Sequence, residues 1–334
     1  MASSVNVEPV RADIVIERTE NRGPQKDSWT SSHAEYSYWP TDFYRRLNNN
    51  IYSNTDPRGR GWPLTERFDL ILLLGVGYLA MVYYGPRYMK HRKPMELKGL
   101  MAAYNVVMVV TSLWMFLEFV INSRSVLEYF LCICQPHRIS YEPSELRIVT
   151  AFYVYFLSKP VEFLDTAFMI LKKKNSQITF LHIFHHFSML FITFATMLHA
   201  PSDQAIYGPI INTFVHVVMY SYYLLSMFPA LQPYLWWKKY LTQLQLVQFL
   251  LILSATIVNL AREDCKYPRW LGYIQLWFLL ALVVLFSNFY VQSYLKDRNK
   301  RRENKEQSKT KSDTRNGVHN TTTPKGRKTH EKDL

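Results

Sequence analysis

Between Phe68 and Leu295 apolar runs of roughly 20 residues alternate with short charged loops, while both ends of the chain are polar. At ~1.5 Å per residue such a run makes a helix about 30 Å long, the thickness of a bilayer's hydrocarbon core. The pattern predicts spans over Phe68 to Tyr84, Leu97 to Ile121, Glu145 to Leu171, the stretch after Lys174 to Leu198, Ala205 to Phe228, Tyr240 to Leu260 and Trp270 to Leu295. The expected fold is an all-α integral membrane protein, a seven-transmembrane-helix bundle filling residues 66–296. Residues 1–65 form an arm expected to be largely disordered, because they mix charge, Ser and Pro and hold no apolar run of signal-peptide length. Its end, from Phe43 through DPRGRGWPL, intersperses aromatic with polar residues and is expected to lie at the membrane surface. Residues 297–334 form a polar, basic tail, also expected to be disordered.

Charge orients these spans. Every second boundary is basic: Arg87 to Lys93, Lys172 to Lys174, Lys238 with Lys239, and Lys296 to Arg302. The opposite loops are balanced or acidic, as where Arg262 and Lys266 face Glu263 and Asp264. Cytosolic loops carry the Lys and Arg excess, so the arm is expected outside the cytosol and the tail inside it. The net charge of +13 then follows from topology, with attraction to anionic lipid added, and requires no nucleic acid. All three cysteines, Cys132, Cys134 and Cys265, fall at the non-cytosolic loops, where disulfides persist, and their spacing is not that of a metal site.

Chemistry concentrates in the fourth span. His182, His185 and His186 lie within an arc of about 100° on a helix, so three imidazoles share a face. Ionisable groups inside a span face a bundle interior or a wet cavity, which marks the cluster as functional. The fifth span sets Asn212, His216, Met219, Tyr220 and Tyr223 on one face, with the fourth histidine roughly as deep as the other three. Lys159, Glu162 and Asp165 recur at threes in the third span, either as a buried structural set or as part of the site. Thr242, Gln245 and Gln248 begin the sixth.

LHIFHH from Leu181, KPVEFLDT from Lys159, NTFVHVVMYSYY from Asn212 and TQLQLVQF from Thr242 together resemble the motifs of the ELOVL-type very-long-chain fatty acid elongases, in that family's order and spacing. The likeness covers Phe43 to Lys300 and leaves the two tails outside. It implies an endoplasmic-reticulum acyltransferase, a 3-oxoacyl-CoA synthase, that condenses long acyl-CoA with malonyl-CoA inside a bundle enclosing an acyl tunnel. No cofactor or metal is implied. The implied partners are the two CoA substrates, membrane lipid, the reductase and dehydratase of the elongation cycle, and a homo- or hetero-oligomer with other elongases. The family favours His185 as nucleophile; His182, His186 and His216 then orient or move protons, and Asn212, Tyr220 or Gln245 are candidates to donate to the developing oxyanion. Lys172, Lys173, Lys174, Lys238 and Lys239 are candidates to receive CoA phosphates, and otherwise only set topology. The likeness also aligns Cys134 and Cys265 with positions that tend to pair.

Two other classes fit less well. A membrane di-iron oxygenase uses an HxxHH box but needs about eight His or carboxylate ligands, and of the ten histidines here His33, His91, His137, His319 and His330 lie in tails or loops while His199 lies at the far end of its span. A seven-span receptor shares the topology but explains no histidine cluster near the cytosol.

Overall fold

The computed structural model describes residues 49–123, 134 and 137–296. The expected disorder of the arm and tail, and Cys132, fall outside the described residues apart from the end of the arm. The chain divides into two compact units, Met1–Ile51 and Tyr52–Leu334. In the first, residues 49–51 are helical.

The second unit is helical. Its long helices are α1 Phe68–Met89, α2 Lys98–Asn122, α3 Pro143–Leu171, α4 Phe180–His199, α5 Tyr207–Ser226, α6 Lys238–Ala261 and α7 Arg269–Tyr290. Their ends carry recognisable stops and starts. Pro143 opens α3 at a position where its missing N–H costs nothing, and the Thr179 hydroxyl accepts from the His182 amide to cap α4. Among the described residues α1, α2, α4, α6 and α7 are long and apolar enough to cross a membrane. α3 and α5 fall below that apolarity because they hold the polar groups described below. Large apolar side chains such as Leu73, Val110, Ile121, Trp277 and Val284 point outward, as a hydrocarbon solvent requires. The protein is a multi-pass membrane protein.

The helices pack as a closed cycle: α2 against α3 and α5, α5 on α6, α6 on α7, α7 on α4, and α4 on α3. α1 stands outside that cycle against α3 and α4. A glycine permits its approach, since a Cβ on Gly75 would sit 2.8 Å from the Phe191 ring of α4.

Two of the basic boundaries meet at one end. The Met95 amide bonds to Leu171 O at 3.0 Å and Lys173 Nζ donates to Lys90 O at 3.0 Å, which joins the exits of α1 and α3. At the other end Cys134 and Cys265 form a disulfide with a Cα–Cα distance of 5.7 Å.

Within DPRGRGWPL the structure buries Asp56, Arg58 and Gly59 and leaves Arg60, Gly61 and Pro63 exposed. The Asp56 amide bonds to Leu198 O at 2.7 Å, and Arg58 is only 6% exposed. The Arg58 guanidinium grips the Asp56 carboxylate (2.6 Å), donates to Ser202 Oγ (2.8 Å), and lies 3.8 Å from Glu145. His137 Nε2 approaches the same aspartate at 3.3 Å. The first part of the segment is drawn inward because Arg58 finds partners in its own segment, on the connection after α4 and on the first turn of α3, a condition that no local pattern reveals.

Candidate active site

Three helices position the site. On α3, Lys159, Glu162 and Thr166 follow helical spacing and are all buried. α5 buries Asn212, His216 and Tyr220, at i, i+4 and i+8, while α4 contributes His182, His185 and His186 from its first two turns.

One half of the site is built around Glu162. Its Oε1 accepts from Lys159 Nζ at 2.6 Å and from Ser158 Oγ at 3.2 Å, and lies 3.6 Å from His216 Nδ1. Glu162 is 1% and Lys159 2% exposed, so the ammonium supplies the charge compensation that water cannot. Lys159 Nζ also sits 4.2 Å over the Tyr155 ring, and Tyr155 donates to Asn212 Oδ1 at 2.9 Å. Tyr220 donates to Asp165 Oδ2 at 2.8 Å, and its ring packs 5.6 Å from His216 and 5.9 Å from Tyr104.

The other half is built around the box histidines. Thr166 Oγ1 lies 2.8 Å from His182 Nε2 and 3.2 Å from the Tyr78 hydroxyl. The ring of His182 packs 4.4 Å from His186, which is 5.2 Å from His185. His185 also stands 6.4 Å from Phe278 of α7 and within electrostatic reach of Glu162, Lys159 and His216. Among the described residues neither His185 nor His186 has a hydrogen bond to its ring. An imidazole whose nitrogens are uncommitted is able to attack a carbonyl carbon or take a proton, whereas His182 has one nitrogen engaged.

The four histidines, Lys159, Glu162, Asp165, Asn212 and Tyr220 therefore gather in one region. Gln245 is half-buried and donates to Met219 Sδ at 3.4 Å; Gln248 is the more buried glutamine, and its Oε1 has no partner among the described residues. The five lysines considered for CoA phosphates stay out of this buried group. Lys172 and Lys173 close α3, while Lys174, Lys238 and Lys239 are exposed at the same end. Sequence reading passes over Tyr78, Tyr155, Ser158 and Thr166. Thr166 adjoins the Lys159 to Asp165 stripe and was findable by extending its spacing by one turn, but Tyr78 sits in an apolar span with no local sign of a role.

The model of the ELO: GNS1/SUR4 family matches residues 63–302. Similar proteins include very long chain fatty acid elongase 5 of Tachysurus fulvidraco, 41% identical over 290 residues that cover 85% of this chain and 97% of that protein. Very long chain fatty acid elongase 2 of Mus musculus is 39% identical over 248 residues, 74% of this chain and 84% of the relative. Human very long chain fatty acid elongase 5 is 40% identical over 241 residues, 72% and 79% of the two chains. With most of its length matched by that family and two fifths of its aligned residues identical to those relatives, the chain belongs to the ELO (GNS1/SUR4) family of very-long-chain fatty acid elongases.

Proposed function

We propose that the protein is the condensing enzyme of elongation, joining a long-chain acyl-CoA to malonyl-CoA to give 3-oxoacyl-CoA, CO2 and CoA. The observation that carries this reading is the gathering of four imidazoles around a buried carboxylate, with no hydrogen bond to the His185 ring among the described residues. Cysteine is the usual acyl carrier of soluble condensing enzymes, and among the described residues Cys134 and Cys265 are bonded to each other at the opposite end.

In the proposed reaction neutral His185 attacks the thioester carbon, the C–S bond breaks to leave an acyl-imidazolium, and CoA leaves as a thiolate that takes a proton from solvent. Malonyl-CoA then loses CO2, and its α-carbon attacks the acyl carbon of the acyl-imidazolium, expelling the neutral imidazole. His216, beside Glu162, manages the proton and charge of that second half-reaction. Tyr220 and Asn212 are committed to Asp165 and Tyr155, so their proposed role is to fix the site, with Gln245 or Gln248 left to meet the developing oxyanion.

In this reading all seven long helices cross the endoplasmic-reticulum membrane, with α3 and α5 turning their polar groups into the cycle. The arm is luminal and the tail cytosolic. The acyl chain runs between the six cyclic helices toward buried Met197 and Ile206. The exposed lysines at the histidine end receive the CoA phosphates, and the 3-oxo product requires a reductase and a dehydratase to complete each cycle.

The test uses purified full-length protein with malonyl-CoA and a panel of acyl-CoAs. His185→Ala is expected to insert normally and to form no 3-oxoacyl-CoA, whereas His216→Ala retains acyl transfer to the enzyme and slows condensation. Product formation by His185→Ala at the wild-type rate would overturn the mechanism.

A further inference from the structure

Tyr78 is a phenol on the one helix that stands outside the cycle, and it is 2% exposed. Its ring stacks on Phe163 at 4.2 Å and lies 6.4 Å from His186. A buried hydroxyl is costly unless it is bonded, and the partner here is Thr166 Oγ1 at 3.2 Å, itself 0% exposed and 2.8 Å from His182 Nε2. Thr166 is unlike its neighbours. Thr193, Thr196, Thr213 and Thr256 all donate to a carbonyl four residues earlier in their own helices, at 2.7 to 2.9 Å. Thr166 has no such bond, so its hydroxyl hydrogen is available across the helix interface.

The chain of three groups has three possible arrangements. If His182 donated from Nε2, Thr166 would either donate to the Tyr78 oxygen and leave the buried phenol O–H without an acceptor, or accept from both neighbours and leave its own hydrogen unused. If Tyr78 donates to Thr166 and Thr166 to Nε2, both hydroxyl hydrogens are used and the ring proton sits on Nδ1. An unmade buried bond costs about 1–3 kcal/mol, which decides for the last arrangement.

We propose that Tyr78 and Thr166 are positioning residues that hold His182 as its neutral Nδ1–H tautomer, with the Nε2 lone pair capped. His182 is thereby removed as a competing nucleophile at Nε2 and becomes a fixed donor within the histidine cluster. The sixfold cycle does not suffice for this, because the terminal donor comes from α1. The consequence for turnover rests on the condensing-enzyme reading; the tautomer assignment does not.

The experiment labels the histidine rings of the full-length protein with nitrogen-15 in detergent micelles and identifies the His182 signals by their loss in His182→Asn. The wild-type protein is expected to show Nε2 unprotonated and Nδ1 protonated. Thr166→Val releases Nε2 and gives a tautomer mixture, Thr166→Ser restores the wild-type pattern, and Tyr78→Phe gives an intermediate one. Condensation kcat falls about 2- to 10-fold in Thr166→Val, the equivalent of one neutral hydrogen bond, with KM for acyl-CoA unchanged and with rescue in Thr166→Ser. A wild-type Nε2–H signal overturns the proposal even if Thr166→Val fails to fold, as does a wild-type pattern in folded Thr166→Val. Absence of condensation by the wild-type protein refutes the condensing reading and leaves the tautomer to be decided by the spectrum.

Discussion

Lys159 and Glu162 illustrate how one pair of side chains serves two purposes. An isolated charge at this depth is untenable, and the 2.6 Å contact removes that penalty without adding net stability over an apolar pair. Lys159→Met is therefore expected to destabilise by about 3–5 kcal/mol, because the Glu162 carboxylate loses its counter-charge while staying buried. Pairing it with Glu162→Leu removes the stranded charge and should restore thermal stability. It should not restore turnover, since His216 Nδ1 would then face no carboxylate. Thermal unfolding and kcat measured on the single and double variants check both halves, and a double variant that recovers both would make the pair structural alone.

Among the connecting elements, the segment before α1 anchors the end remote from the histidines. Burial by itself would raise the Asp56 carboxyl, but hydrogen bonds from His137 and Arg58 outweigh it and lower its pKa from 3.8 to about 2. A carboxylate held below its unfolded value stabilises the fold above that value, and the contribution is lost as pH falls from near 4 toward 2. The shift corresponds to about 2 kcal/mol. Wild-type protein in detergent should lose thermal stability across that interval, while Asp56→Asn should start less stable and show a flatter dependence; parallel curves would remove Asp56 as the cause.

Over the whole molecule, the Cys134–Cys265 bond joins positions 131 residues apart at the end away from the histidines. It ties the connection after α2 to the one after α6. Reduction, or Cys134→Ser, is expected to lower stability by about 2–5 kcal/mol, with initial-rate turnover at low temperature largely retained. Thermal unfolding and initial rates with and without reductant separate the two effects, and an equal loss of both would mean that the bond also shapes the site.

Helices and their order were legible from the sequence because they depend on local quantities: apolar runs of helical length, breaks at charged loops, and histidines at spacings that put them on one face. The predicted spans meet the observed helices to within a few residues at most ends, and Lys159, Glu162 and His216 were singled out by the same periodicity. Only the tertiary structure decided which helices close the cycle, that α1 stands outside it, and that Tyr78, Thr166, Arg58 and Asp56 have polar partners far away in the chain. The reason is physical. Periodicity records which way a residue faces on its own helix, whereas a hydrogen bond or ion pair depends on what another helix brings to the same place, and that is settled when the helices pack.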